Sequence, residues 1–353
     1  MRVLVTGGTG YIGSHVVRRL TSAGHQPIVL DNLEEGHRAA VGGEFLVTQG
    51  DIGDPAALDE ALQGRPVDGV IHMAASCLVG ESMAEPAKYY DNNVVRTLRL
   101  LDHLLQRGVS RFVFSSTAAV YGEPDPARPG GKVAPILEEH PCRPTNVYGE
   151  TKLAIERALS WYARCAGLRA VSLRYFNAAG ADPSADIGED HEPETHLIPL
   201  VMRAALGRAA LGRAALGQAP RVTVLGRDYA TPDGTCLRDY IHVNDLADAH
   251  ILALGALAAA SWPAELRVYN LGAQKATSVL EVLTAARRIT GREIPVEDGP
   301  RRAGDPAVLL ASSERIRSDL GWRPVLSELD SILRTAWAWH SRHPSGYAEA
   351  SSP

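Results

Sequence analysis

Tyr148 and Lys152 carry the sharpest chemical signal in the chain. At four residues apart on a helix, both side chains share one face. An ammonium beside a phenol favours the phenolate, so the pair predicts a general base whose pKa is lowered toward the working range. Lysine is scarce here: of 36 basic residues only Lys88, Lys132, Lys152 and Lys275 are not arginine, and the bulkier guanidinium fork would not substitute at such a site. Upstream, an apolar run ends in Ser115-Ser116-Thr117 and leads to Tyr121. If that run is a parallel strand, its carboxyl end opens on a ligand crevice, and the Thr117 hydroxyl can reach the same substrate oxygen as Tyr148. Taken alone, Tyr148 and Lys152 read more readily as a surface tyrosine and a solvated lysine; the neighbouring signals weigh against that.

The strongest of these is residues 2–15, RVLVTGGTGYIGSH: an apolar run, glycines at Gly7 or Gly8, Gly10 and Gly13, then a helical pattern. Spaced glycines allow the tight turn and let the backbone approach a pyrophosphate, whose charge meets the exposed amides of the helix start. The second apolar run ends at Asp31, where a carboxylate accepts the ribose hydroxyls. Asp31-Asn32 with no arginine immediately after favours NAD over NADP. Asp51-Ile52 ends the third run and would flank the adenine, although Asp51–Asp54 also reads as a helix cap.

Positioning these groups requires a scaffold, and the first half of the chain supplies its pattern. Continuous apolar runs at Arg2–Thr6, Pro27–Asp31, Phe45–Gln49, Gly69–Met73, Arg111–Ser115 and Ala170–Tyr175 predict parallel strands covered on both faces. Helical patterns fill the gaps at Ile12–Ala23, Pro55–Gln63, Pro86–Arg107 and Val147–Ala166. The alternation predicts an α/β fold, a Rossmann-like doubly wound parallel sheet, with a smaller C-terminal α/β substrate domain. Residues 1–177 are expected to bind NAD and 178–353 to bind substrate. The later part mixes short strands (Val222–Leu225, Val268–Leu271) with helices near Asn244–Ala258, Val279–Thr290 and Ser327–His340.

Composition excludes several classes. Over 353 residues, 45% hydrophobic content against 22% charged is ordinary globular material with ample core. A net charge of −5 makes non-specific nucleic-acid binding a poor reading. Apolar runs stay well short of the ~20 residues that span a bilayer, and Met1–Gly8 lacks a signal-peptide layout. Cys77, Cys142, Cys165 and Cys236 are scattered, which fits reduced thiols in a cytoplasmic protein better than disulfides or zinc. The stretch Asp186–His196 is dense in Asp, Glu and His, but its spacing fits neither His-Glu-x-x-His nor an EF-hand, so no metal is expected. Glu123–Pro144 is rich in proline and glycine and sits where ligand-facing loops occur. Arg203–Gly217 reads RAALG three times; a leucine every five residues turns about 140° per step on a helix, so no apolar face forms. It reads as a low-complexity insertion.

The glycine loop, Asn92-Asn93-Val94, Ser115–Thr117 and Tyr148-x-x-x-Lys152 together resemble the extended short-chain dehydrogenase/reductase family. Within it, longer strings resemble the UDP-glucose (UDP-galactose) 4-epimerases: TGGTGYIGSH at 6–15, VGES at 79–82, YYDNNV at 89–94, RYFNAAGADPS at 174–184, GEDHEPETHLIP at 188–199, DGTCLRDYIHVNDLADAH at 233–250, RRAGDPA at 301–307 and WHSRHPSGY at 339–347. The resemblance covers nearly the whole chain.

That resemblance implies a tightly held NAD that is not consumed. It makes Tyr148 the acid/base at the sugar 4-hydroxyl, Lys152 the ligand of the cofactor ribose, and Thr117 a hydrogen-bond partner of the sugar oxygen. On the cofactor side it places Gly7, Gly10, Tyr11, Ile12, Gly13, Asp31, Asn32, Asp51, Ile52, Met73, Ala74, Ala75, Asn92, Ser115 and Phe176. On the UDP-sugar side it places Tyr175, Asn177, His196, Leu197, Leu225, Arg238, Tyr240, Arg302, Asp305 and Leu309. Two arginines suit a nucleotide diphosphate, which they grip with charge-assisted bonds. The resemblance further implies a homodimer through helices near Pro86–Arg107 and Val147–Ala166.

Where dehydratases of this scaffold carry an acid or base after the threonine, this chain has Ala118 and Ala119, which cannot transfer protons. Oxidation and re-reduction at one carbon need only the tyrosine and the cofactor, so an epimerase is what the available groups can run. Three positions depart from relatives of this kind. Cys77 stands where some carry a lysine, and His196 where some carry an asparagine. Leu309 replaces a larger tyrosine that gates bulky 2-substituents, which opens the site to UDP-N-acetylglucosamine or UDP-pentoses as well.

Overall fold

The computed structural model describes residues 1–124, 134–208, 221–302 and 304–347. In chain order its strands are β1 (Arg2–Thr6), β2 (Gln26–Asp31), β3 (Val47–Gln49), β4 (Gly69–His72), β5 (Arg111–Thr117), β6 (Arg169–Tyr175) and β7 (Asn177–Ala179). There follow β8 (Val222–Leu225), β9 (Leu237–His242), β10 (Leu266–Leu271), β11 (Ala276–Ser278), β12 (Val296–Gly299) and β13 (Val308–Leu309). Seven of them form one parallel sheet in the order β10-β6-β5-β4-β1-β2-β3. The direction of travel reverses between β1 and β4, which opens a crevice at their carboxyl ends.

Both faces are covered, as continuous apolar strands require. Val3 and Val5 point to one face, where the helices Tyr11–Ser22 and Val243–Leu257 pack. Leu4 points to the other, against Pro55–Leu62, Arg96–Gln106 and Val147–Ala166. Within the expected helix Pro86–Arg107 the chain makes a π-helical turn, Tyr90–Val95, between Pro86–Tyr89 and Arg96–Gln106. Such turns are rare and cluster at functional sites. Asn92 and Asn93 lie in this turn, and both bond Ser76: Asn92 Nδ2 donates to Ser76 Oγ (2.9 Å), and Asn93 Nδ2 donates to the Ser76 carbonyl (3.0 Å).

The expected boundary at 177 needs correction. The chain leaves the sheet there, but the helix Val243–Leu257 and β10 return to it, β10 pairing with β6 as the seventh strand. The physical reason is burial. Leu246, Ala247, Ala253, Leu254 and Leu257 are wholly buried against the sheet; this helix completes the cover that Tyr11–Ser22 begins. The remaining segments build a smaller layer with its own core, in which Ile198, Val201, Met202, Val222, Val282 and Leu333 pack together. At its centre β9 pairs with β11 and β13 along its first half and with β7 along its second. Of the RAALG repeats, Arg203–Ala205 end the helix Leu197–Ala205; residues 209–217 lie outside the described residues.

Five histidines are buried in this fold: His15, His72, His242, His250 and His340. Burial disfavours the imidazolium and lowers each pKa, to about 3 for His72 and about 4 for the others. The unfolded chain takes up protons near 6.5 that the fold excludes, so the stability owed to these five histidines is full above that pH and falls as pH drops toward 4. Each contributes at most about 1.4 kcal/mol per pH unit in that window. Urea midpoints at pH 7, 6 and 5 are expected to fall steeply; equal midpoints at 7 and 5 would contradict the assignment.

Candidate active site

The first turn after β1 is shaped by close backbone approach. Gly7 has φ +69°, and a Cβ there would meet Ala74 N at 2.6 Å; a Cβ on Gly13 would meet Gly7 O at 2.0 Å. Only glycine permits this packing. The helix Tyr11–Ser22 then starts at Gly10 with no side-chain cap and no acid in its first turn, leaving its amides facing outward. Asp31 is held in place by the Thr9 and Leu33 amides, each donating at 2.9 Å. These features put an anion cradle and a fixed carboxylate in one cleft, the combination a dinucleotide requires. Asp51 lines the same cleft while accepting from Gly53 N (2.7 Å) and pairing with Arg96. The helix cap expected in Asp51–Asp54 is Asp54, whose Oδ1 accepts from Ala56 N, so this segment both caps a helix and lines the cleft.

The helix Val147–Ala166 delivers Tyr148 and Lys152. Asn146 caps it (Oδ1 to Gly149 N, 2.8 Å), and Ser82 Oγ accepts from Tyr148 N at 3.2 Å. Gly149 sits so tightly on the turn after β5 that a Cβ would meet Ala119 O at 2.6 Å. Tyr148 and Lys152 are buried, and Thr117, whose hydroxyl oxygen accepts from Ala119 N at 3.1 Å, lines the cleft with them. Lys152 Nζ donates to the Ser115 carbonyl (2.8 Å) and lies 5.9 Å from the Tyr148 ring centroid.

The expected lowering of the tyrosine pKa is therefore not what this geometry produces. Burial pushes the Tyr148 phenol well above its ordinary range, the neighbouring Tyr175 and Cys77 add to that, and the nearby Thr117 side chain only partly opposes it. The ammonium spends its bond on a backbone carbonyl instead of the phenol. Burial also lowers Lys152 to about 8, so at neutral pH it still carries most of its charge. Ser115 does not line the cleft: its hydroxyl is bonded to His250 Nε2 (2.8 Å) and its carbonyl holds Lys152.

The opposite wall comes from the smaller layer. Register places Asn177 beside Tyr240 and Leu309 beside Arg238, so β9 carries two site residues and aligns two more. Arg238 is buried, paired with Asp305, and donates to the Leu237 (2.8 Å) and Pro306 (2.9 Å) carbonyls. Between the layers lies a cleft of about 620 Å³. Apart from Ser115, all the expected cofactor and sugar residues line it, Asn92, Tyr175, Phe176, His196, Leu197, Leu225 and Arg302 among them. Sequence reasoning missed Glu35, Ser76, Glu189, His191 and Thr223, which line it too. The acidic and histidine density of 186–196 was the available signal for Glu189 and His191. Glu35 and Ser76 carried none.

Residues 3–272 match the model of the NAD dependent epimerase/dehydratase family. The chain is 50% identical over 348 residues to a UDP-glucose 4-epimerase of Halalkalibacterium halodurans, covering 99% of this chain and 98% of that one. Among solved structures it is similar to a UDP-glucose 4-epimerase from Brucella ovis in complex with NAD (TM-score 0.86, 46% identity, 95% and 97% covered). It is also similar to one from Bifidobacterium longum in complex with NAD+ and UDP (TM-score 0.86, 36% identity, 98% and 100% covered).

The glycine cradle yields a direct test. Gly13→Ala forces the loop off Gly7 O and is expected to weaken dinucleotide binding more than tenfold by calorimetry. Gly43→Ala, where nothing lies within 4 Å of the added methyl, leaves binding unchanged. Equal affinities for the two variants would refute the cradle.

Proposed function

The chain belongs to the NAD dependent epimerase/dehydratase family, and within it we propose that it interconverts UDP-glucose and UDP-galactose by epimerisation at C4 through a transient 4-keto sugar. The observation that carries this reading is the trio Thr117, Tyr148 and Lys152 lining one cleft, with Ala118 and Ala119, which transfer no protons, following the threonine. The glycine cradle, the uncapped helix start and Asp31 fit NAD. When bound, NAD would supply a reversible hydride acceptor and a positive charge.

The protein's own groups do the rest. Tyr148 takes the proton of the sugar 4-hydroxyl and returns it to the same oxygen; because the hydride that leaves C4 is also returned to C4, no net redox change remains. Its raised pKa in the buried site makes it a poor base until a positive charge adjoins it, which ties proton removal to an occupied cofactor site. Thr117 bonds the reacting oxygen and Lys152 the cofactor ribose. Arg238 and Arg302 hold the nucleotide diphosphate with charge-assisted bonds. Asn177 and Leu197 border the sugar, and the cleft leaves room for the keto sugar to turn and present its other face.

A second reading rests on Leu309. It lines the cleft next to Arg238 and is smaller than a tyrosine, so the pocket accepts an N-acetyl group at the sugar 2-position. The homodimer expected from the resemblance is supported by exposed apolar side chains on the two helices concerned, Tyr90, Val95 and Trp161; sedimentation at the mass of one chain would contradict it. With four free cysteines, two of them exposed, we place the protein in the cytoplasm.

Tyr148→Phe is expected to lower kcat by about 10²–10⁴-fold with NAD content unchanged; full activity in that variant would remove the proposed base. Parallel assays of UDP-glucose, UDP-N-acetylglucosamine and UDP-xylose without added NAD are expected to show turnover of UDP-glucose and measurable turnover of UDP-N-acetylglucosamine. Turnover that depends stoichiometrically on added NAD would overturn the epimerase reading.

A further inference from the structure

The loop between β7 and the helix Leu197–Ala205 folds four ligand-type side chains into one cluster. Glu189, His191, Glu194 and His196 place one carboxylate oxygen or imidazole nitrogen each within 4.8 Å of all the others. His196 Nδ1 stands 2.6 Å from Glu189 Oε1 and 3.7 Å from Glu194 Oε1. His191 Nδ1 stands 3.5 Å from Glu189 Oε1 and 3.8 Å from Glu194 Oε2. The edges of a tetrahedron of ligands around zinc, at the usual 2.0–2.1 Å bond lengths, are about 3.3 Å. The four groups thus surround a point to which small side-chain movements would bring a common ligand distance.

Hydrogen bonding within the loop accounts for only part of this cluster. Glu194 Oε1 accepts from the Thr195 and His196 amides, both at 2.8 Å. Its other oxygen has no hydrogen-bond partner among the described residues, although the Glu194 side chain is only 1% exposed and that oxygen faces His191. An unpartnered carboxylate oxygen in a buried site is costly unless something positive meets it. Two carboxylates and two imidazoliums sum to zero charge; two carboxylates, two neutral imidazoles and one divalent cation sum to the same. A single ion therefore satisfies the orphaned oxygen without changing the net charge of the cluster.

We propose that Glu189, His191, Glu194 and His196 form a binding site for one zinc ion that braces the loop at the cleft wall. The donor set selects the ion class: two imidazoles suit zinc and its borderline neighbours, whereas magnesium and calcium take oxygen ligands and larger coordination numbers. The expectation of no metal came from linear spacing, which matched no known ligand pattern. It is the fold of the loop that brings these residues together. His196 and Leu197 lie beside each other at the cleft wall, so the ion fixes the N-terminal end of the helix Leu197–Ala205 where it meets the cleft.

The test uses the full chain, made without a histidine tag, with its cofactor, after dialysis against a chelator. Zinc titrated by calorimetry is expected to bind at one ion per chain, and Co²⁺ is expected to give the intense visible bands of a four-coordinate ion. Glu194→Gln, which keeps the packing, and His191→Gln are each expected to weaken zinc binding by at least the roughly 10–100-fold that loss of an outer-shell contact costs. Magnesium at the same concentration is expected not to compete. Sub-stoichiometric binding, a six-coordinate cobalt spectrum, or undiminished binding by Glu194→Gln would each overturn the proposal. If neither variant folds, the wild-type cobalt spectrum decides alone. The readouts need no turnover, so they stand or fall independently of the epimerase reading.

Discussion

A positive charge buried beneath a phenol is the constraint around which this molecule is arranged. Lys152 is almost fully buried, and its hydrogen bond among the described residues goes to the Ser115 carbonyl. Holding an ammonium there requires the end of β5 to stay fixed. Ser115 Oγ is bonded to His250 at 2.8 Å, and His250 rides on the helix Val243–Leu257, itself tied by His250 Nδ1 to the Leu246 carbonyl. The return of that late segment to the main sheet thus supports the end of β5 beneath the cleft as well as the core. The low pKa of Lys152 and the high pKa of Tyr148 have one cause, desolvation, acting on opposite charge types.

A second buried network stiffens the neighbouring strands. Glu156, on the lysine's helix, accepts from Ser116 Oγ and Ser172 Oγ (both 2.7 Å) and pairs with Arg174, which in turn donates to Tyr121 Oη (2.9 Å). Tyr121 donates to Asn270 Oδ1 on β10. The chain of contacts ties β5, β6, β10 and the helix Val147–Ala166 into one unit whose every polar member has a partner, the condition under which buried polar groups rigidify a core. Tyr148 and Thr117 lie at the open edge of this unit, so their separation is set by rigid elements.

The opposing wall is organised differently. Asp239 on β9 accepts backbone amides of Ala273, Gln274 and Ala311, which fixes the turn after β10 and the segment after β13 to one carboxylate. Gly272 is needed there, since a Cβ would meet Asp239 Oδ2 at 2.4 Å. Arg238 and Tyr240 flank that anchor in sequence and turn toward the cleft. The cleft residues Arg238 and Tyr240 thus hang on a strand held by its backbone partners, while the loop carrying Glu189 to His196 lines the same cleft.

Sequence alone determined the parallel sheet, the glycine cradle, Asp31 and the pairing of Tyr148 with Lys152. Each of these is written in local spacing: continuous apolar runs, glycines at a turn, a carboxylate at a strand end, two residues one helical turn apart. The tertiary structure decided what depends on contacts distant in sequence. It assigned β10 and the helix Val243–Leu257 to the first sheet, turned Ser115 from a cleft residue into the carbonyl that holds Lys152, and gathered Glu189, His191, Glu194 and His196 around one point. It also reversed the direction of the Tyr148 shift, because spacing shows that two groups are neighbours but not how much water surrounds them, and at this site the loss of water outweighs the nearby charge.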